Sequence, residues 1–231
     1  MPRHSTTRAG GTRLRTSQPD ALSLWSRWLV TVTLAEAVGF LVPAAVGAML
    51  VDAPDTTMAP AIIAAGLVEG TFLGAGQAAV ARRALPGLPV VRFVALTAVA
   101  AAFAYAIAMV PVLLGPRLTD LQWPVVGLLG LLLASLLLGS IGTAQWLVLR
   151  GELSGAGTWV PATAVAWIAG LLAFLGVATP LWEPGQPLGL TIAIGGFAGL
   201  VMAVVVAAVT GAAFIRLLRR GPRPTVTRPP G

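Results

Sequence analysis

Six long apolar stretches, separated by short segments rich in Pro, Gly, Asp and Arg, make up most of the chain. They run about Trp28–Val51, Ala59–Ala81, Phe93–Leu114, Val125–Leu149, Trp159–Leu181 and Leu188–Leu218. Each reaches the ~20 residues that a helix needs to cross a ~30 Å hydrocarbon layer. In lipid each must be helical, because only a helix satisfies its own backbone polar groups within one segment. Pro43 falls inside the first stretch and predicts a kink there, since it removes a backbone donor. Pro54, Pro86, Pro116, Pro124, Pro184 and Pro187 punctuate span ends and loops, and Pro111 and Pro180 lie near the outer ends of their spans. Residues 1–24 have no hydrophobic pattern and read as a disordered tail, and 221–231 (GPRPTVTRPPG) as an extended Pro/Arg-rich one. The spacing therefore predicts an all-α transmembrane domain over 25–220.

Composition supports this reading. Of the 231 residues, 57% are hydrophobic and 10% charged, against about a quarter charged in soluble domains. There is no cysteine, which excludes disulfides, thiolate nucleophiles and cysteine-held metals. The single histidine, His4, lies in the polar N-terminal segment, so no Ser–His pair or histidine metal site is available among the spans. No phosphate-cradling loop or dinucleotide fingerprint occurs, and Gly195, Gly196 and Gly199 lie within a span. Neither an enzyme nor a cofactor is expected. The net charge of +7 comes from arginines in tails and loops. They lack interleaved aromatics, so anionic lipid headgroups rather than nucleic acid are the expected partner.

The charges also orient the chain. With six spans, Arg3, Arg8, Arg13, Arg15, Arg27, Arg82, Arg83, Arg92, Arg150, Arg216, Arg219, Arg220, Arg223 and Arg228 fall on one side. Only Arg117 falls on the other, beside Asp52, Asp55, Asp120 and Glu183. The positive side is cytoplasmic, so both termini are expected inside, in a bacterial cytoplasmic membrane. Trp25, Trp28, Trp123, Trp159 and Trp182 stand at span ends and read as interfacial anchors, whereas Trp146 and Trp167 lie deeper and read as packing residues.

Three segments resemble one another. The second span ends GAGQAAVAR, the fourth GTAQWLVLR and the sixth GAAFIRLLR, placing Gly74, Gly142 and Gly211 each 8 residues before Arg82, Arg150 and Arg219. The copies recur after 68 and 69 residues. The odd spans align through Trp28, Ala35 and Gly39 with Val91, Ala98 and Ala102, then Trp159, Ala166 and Gly170. The pattern predicts three helical hairpins, about 25–83, 90–150 and 158–220, related by an axis near the membrane normal. The segment carried by Gly142, Gln145, Trp146, Leu149 and Arg150 resembles one that recurs in families of uncharacterised bacterial multipass membrane proteins. Gly74, Gln77 and Arg82 carry a weaker copy, and Phe214 replaces glutamine in the third. That resemblance implies an architecture, not an activity.

Candidate chemistry sits in few places. Gly66, Gly70 and Gly74 share one helix face and predict close helix packing, with Gly142 and Gly211 in the matching places of the later hairpins. Gln77 and Gln145 continue that face, either as interhelical hydrogen bonds or as the polar lining of a cavity mouth. Arg82, Arg150 and Arg219 are expected to reach headgroups by snorkelling. Glu36 and Glu69 stand out. Glu36 lies roughly 12 Å from Trp28 along its helix, and Glu69 roughly 20 Å from Arg82 along its own. A charge at mid-membrane costs at least ~2.5 kcal/mol, so such acids face the interior. The two are expected to share a polar pocket, since a hairpin joins their helices. Two functions follow. The favoured one is a structural, scaffold or accessory membrane component, with a membrane protein or a second copy of the chain as partner. The alternative is a small permease or proton-linked carrier using Glu36 and Glu69. A filled interior argues for the first, and polar groups converging on a cavity for the second.

Overall fold

The computed structural model describes residues 21–118 and 120–221. Residues 1–20 and 222–231 of the expected tails, with His4, Arg3, Arg8, Arg13, Arg15, Arg223 and Arg228, lie outside the described residues. Six long helices follow one another: α1 Ala21–Met49, α2 Asp55–Ala84, α3 Val90–Leu118, α4 Trp123–Glu152, α5 Trp159–Leu181 and α6 Leu188–Arg219. A single 3₁₀ turn, Ala156–Thr158, precedes α5. All six long helices have the length and apolarity to cross a bilayer, so the chain is a multipass membrane protein. Their 23 to 32 residues correspond to about 35–48 Å at 1.5 Å per residue. The longer ones exceed the hydrocarbon layer and carry their ends into the headgroup region.

Proline and glycine set several boundaries. Pro54 and Pro187 stand just before α2 and α6, and Pro124 occupies the first turn of α4, where a missing N–H costs nothing. Gly155 (φ 70°) and Gly185 (φ 82°) turn the chain in the left-handed region before and after α5. The helix α1 runs unbroken through Pro43. It also begins earlier than hydropathy suggests. Residues 21–24 are helical and Leu24 is buried, so these four residues belong to α1 and not to the expected tail.

Each helix packs on the next, and α6 packs on α1, which closes the six into a ring. Residues 21 and 221 lie at one end, here called the terminal end, with the α2–α3 and α4–α5 loops. There the Ser154 hydroxyl donates to the Gly221 carbonyl at 2.8 Å. The main apolar core fills this end, from Leu24 and Trp28 on α1 to Phe214 and Leu217 on α6. In α4 the buried residues run only from Ile141 to Leu149. A side chain added at Gly127, Gly130 or Gly139 would meet nothing within 4 Å. The bundle is thus dense at the terminal end and open along the other half of α4.

Two tryptophans depart from the anchor role. Trp28 and Trp159 are fully buried rather than interfacial. They fill the centre of the ring, where a helix circle leaves space that only large side chains close. Trp123 (85% exposed) and Trp182 (61% exposed) do stand at the opposite end of the bundle. Val91, aligned by spacing with these buried tryptophans, is 83% exposed.

Candidate functional site: a carboxyl pair beside a six-helix cavity

Small residues bring the acids together. At Gly39 of α1, an added methyl would sit 3.0 Å from the Phe72 Cβ and 3.2 Å from the Glu69 Cα. At Gly76 of α2 it would sit 2.5 Å from the Ala35 Cβ. The backbones of α1 and α2 therefore touch, as small residues permit. On its other side α2 presents Gly66, Gly70 and Gly74 to α3. Gly66 lies under the Tyr105 ring, Gly70 against Ala98 and Ala101, and Gly74 against Val94 and Thr97. Thus α2 is clasped between two close neighbours, with Glu69 held at the junction.

Tyr105, the one tyrosine of the chain, donates its hydroxyl to Glu69 Oε2 at 2.5 Å. Glu36 is wholly buried and Glu69 is 4% exposed. The two carboxyls are close enough to interact with each other. As two carboxylates they would have no donor between them, and neither oxygen of Glu36 has a hydrogen-bond partner. Protonation supplies the missing donor and removes the repulsion. Sequence reasoning singled out both acids but missed Tyr105. Its visible signal was a lone tyrosine in the middle of an apolar span.

Glu69 and Tyr105 border a cavity of about 200 Å³ to which every helix contributes: Phe40, Glu69, Tyr105, Ile141, Trp167 and Met202 line it, one from each. A second cavity of about 530 Å³ lies at the end away from the termini, between α1, α5 and α6, and is bordered by Pro43, Trp182 and Glu183. Phe40 lines both cavities. Its ring packs edge-on against Phe174, 5.6 Å between centroids, and occupies the space above Gly199.

On the terminal side the ring is closed. Gln145 donates to Gln77 at 2.6 Å and to Thr97 at 3.1 Å, and accepts from the Trp159 indole at 2.8 Å. Trp28 donates to Thr210 at 3.2 Å and stacks on Phe214 with centroids 4.6 Å apart. Trp159 meets both rings edge-on. Of the two readings of Gln77 and Gln145, the structure shows interhelical hydrogen bonds, and neither residue lines any of these three cavities. Each amide group is better satisfied by its buried neighbours than by a solvated opening. The three positions that the sequence spacing aligns, Gln77, Gln145 and Phe214, all belong to this layer. Their glycines make matching contacts. Gly74 faces α3, Gly142 faces α5 at Val160 and Thr163, and Gly211 faces α1 at Trp25 and Trp28.

Arg82, Arg150 and Arg219 are exposed at the terminal end. The Arg150 guanidinium lies 5.0 Å above the Trp146 ring. Arg83 and Arg219 border a surface hollow of about 330 Å³ with Leu24 and Leu218. Among the described residues, no group of three or more His, Cys, Asp or Glu could hold a metal ion. Comparison with protein families, curated proteins and solved structures finds no match to this chain.

Proposed function

We propose that the chain is a small proton-linked carrier, with Glu36, Glu69 and Tyr105 as its working site. One observation carries this reading. Glu69, close to a buried Glu36 whose oxygens have no hydrogen-bond partner, borders a cavity to which all six helices contribute. Intramembrane acids of this kind mark ion and proton pathways. A site where all helices meet is also where a small relative movement changes access. The arginine distribution supports placing the terminal end in the cytoplasm of a bacterial cell. The matched glycines support three hairpins as copies of one unit. Substrate is then moved, not chemically altered.

Infrared spectroscopy on the full chain in liposomes tests this. The part of the protonated-carboxyl band that Glu69→Gln removes should rise and fall as bulk pH is varied. The competing reading, a structural membrane component, is favoured by the solid Gln145–Trp159–Phe214 layer. It requires a carboxyl band that bulk pH does not change, and Gln variants that behave like the parent, since a neutral carboxyl and an amide bond alike.

A further inference from the structure

We infer that the 200 Å³ cavity takes a small hydrophobic organic monocation, a quaternary or alkyl ammonium, in exchange for one proton. This rests on the carrier reading and gives it a substrate class. The polar groups that line this cavity are Glu69 of α2 and Tyr105 of α3, and Glu36 of α1 lies close to Glu69. The residues that α4, α5 and α6 contribute, among them Ile141, Trp167 and Met202, bear no titratable group. An anion finds no counter-charge there. A hydrated metal ion would shed water for too few oxygens, given that Ca²⁺ takes about 6–8 and Mg²⁺ about 6. A greasy cation fits: its alkyl groups meet the apolar wall, to which Trp167 adds an aromatic ring, and Glu69 supplies the charge. The volume falls below the ~300–1,000 Å³ of sites for drug-sized ligands, so the cation is small.

Glu36 is the second, independent sign. It is fully buried, its oxygens have no hydrogen-bond partner, and Glu69 is close enough to interact with it. That arrangement suits a pair that keeps one proton when the cation is bound. In the empty site both carboxyls hold a proton. When the cation enters, Glu69 gives its proton to water, and Glu36 donates its own to the new carboxylate. Tyr105 donates a second hydrogen bond. One positive charge enters and one leaves, so the buried site never carries a net charge.

Calorimetry on the full chain in detergent, with benzyltrimethylammonium as probe and in buffers of different ionisation enthalpy, tests this. We expect about one proton released per cation bound, and affinity rising about ten-fold per pH unit. Neopentylbenzene, the neutral isostere, should release none. Glu69→Gln should remove the release and weaken binding by at least about ten-fold, with helicity unchanged by circular dichroism. Should that variant not fold, Tyr105→Phe keeps the ring on Gly66 and should weaken cation binding at fixed pH. Binding without proton release, or equal binding by Glu69→Gln, overturns the inference. So does equal binding by Tyr105→Phe where Glu69→Gln does not fold, or no binding by a sample whose carboxyl band titrates. That last result leaves the carrier reading standing for another substrate. A carboxyl band indifferent to pH, without cation binding, overturns both.

Discussion

Gln145 shows how one side chain decides the character of a whole layer. It uses both ends of its amide, accepting from Trp159 and donating to Gln77 and Thr97. Gln77→Leu removes one of those bonds, and about 0.6 kcal/mol is the typical value in a membrane bundle. Gln145→Leu removes three and strands the Trp159 indole, so about 2 kcal/mol is expected on the same scale. Unfolding of the two variants in mixed micelles should rank them in that order. Tyr105 has a similar role at the acid pair, where its hydroxyl is the one donor outside the pair that the structure gives Glu69.

Among the elements, α2 is the most constrained, and its glycines are not equivalent to those elsewhere. A methyl at Gly70 would stand 2.5 Å from the Ala101 Cβ and 2.8 Å from the Ala98 Cα, so Gly70→Ala must push α3 away. Overpacking of this kind costs about 1–3 kcal/mol, and the separation also draws Tyr105 from Glu69. Gly130→Ala on α4 meets open space and should be neutral or slightly stabilising, because alanine is the better helix former. Thermal unfolding of the pair measures the contrast. The same interfaces explain what could be read beforehand. The spans were legible because apolar length alone requires them. The meeting of Glu36 and Glu69 was legible because a short loop joins their helices. Tyr105 was not, because its partner is set by how α3 slides along α2, and that register depends on which glycine receives which side chain. Trp28 and Trp159 were misread for a related reason. Span-end position suggests an interface, but α1 extends seven residues further out and the ring centre needs filling.

At the scale of the whole molecule, one end is closed and the other holds the larger cavity, with Phe40 between that cavity and the acids. A cysteine replacing Ile192, on the wall of the larger cavity, should react with a membrane-impermeant maleimide added outside intact cells. One replacing Gln77 should not react, and the chain has no native cysteine to confuse the result. Phe40→Ala should accelerate exchange of benzyltrimethylammonium, measured by its release from the loaded protein. The ring closure between α6 and α1 has a further consequence. Ala21 and Arg219 border the same surface hollow, so the two ends of the described chain are neighbours. The polypeptide has a beginning and an end, but the circle of helices has neither. Joining residue 221 to residue 21 with a short linker and cutting the chain before Val90 gives a circular permutant that starts at α3 and ends at α2. It keeps an even number of crossings and every helix in its original direction. It should insert, fold and bind cation like the parent.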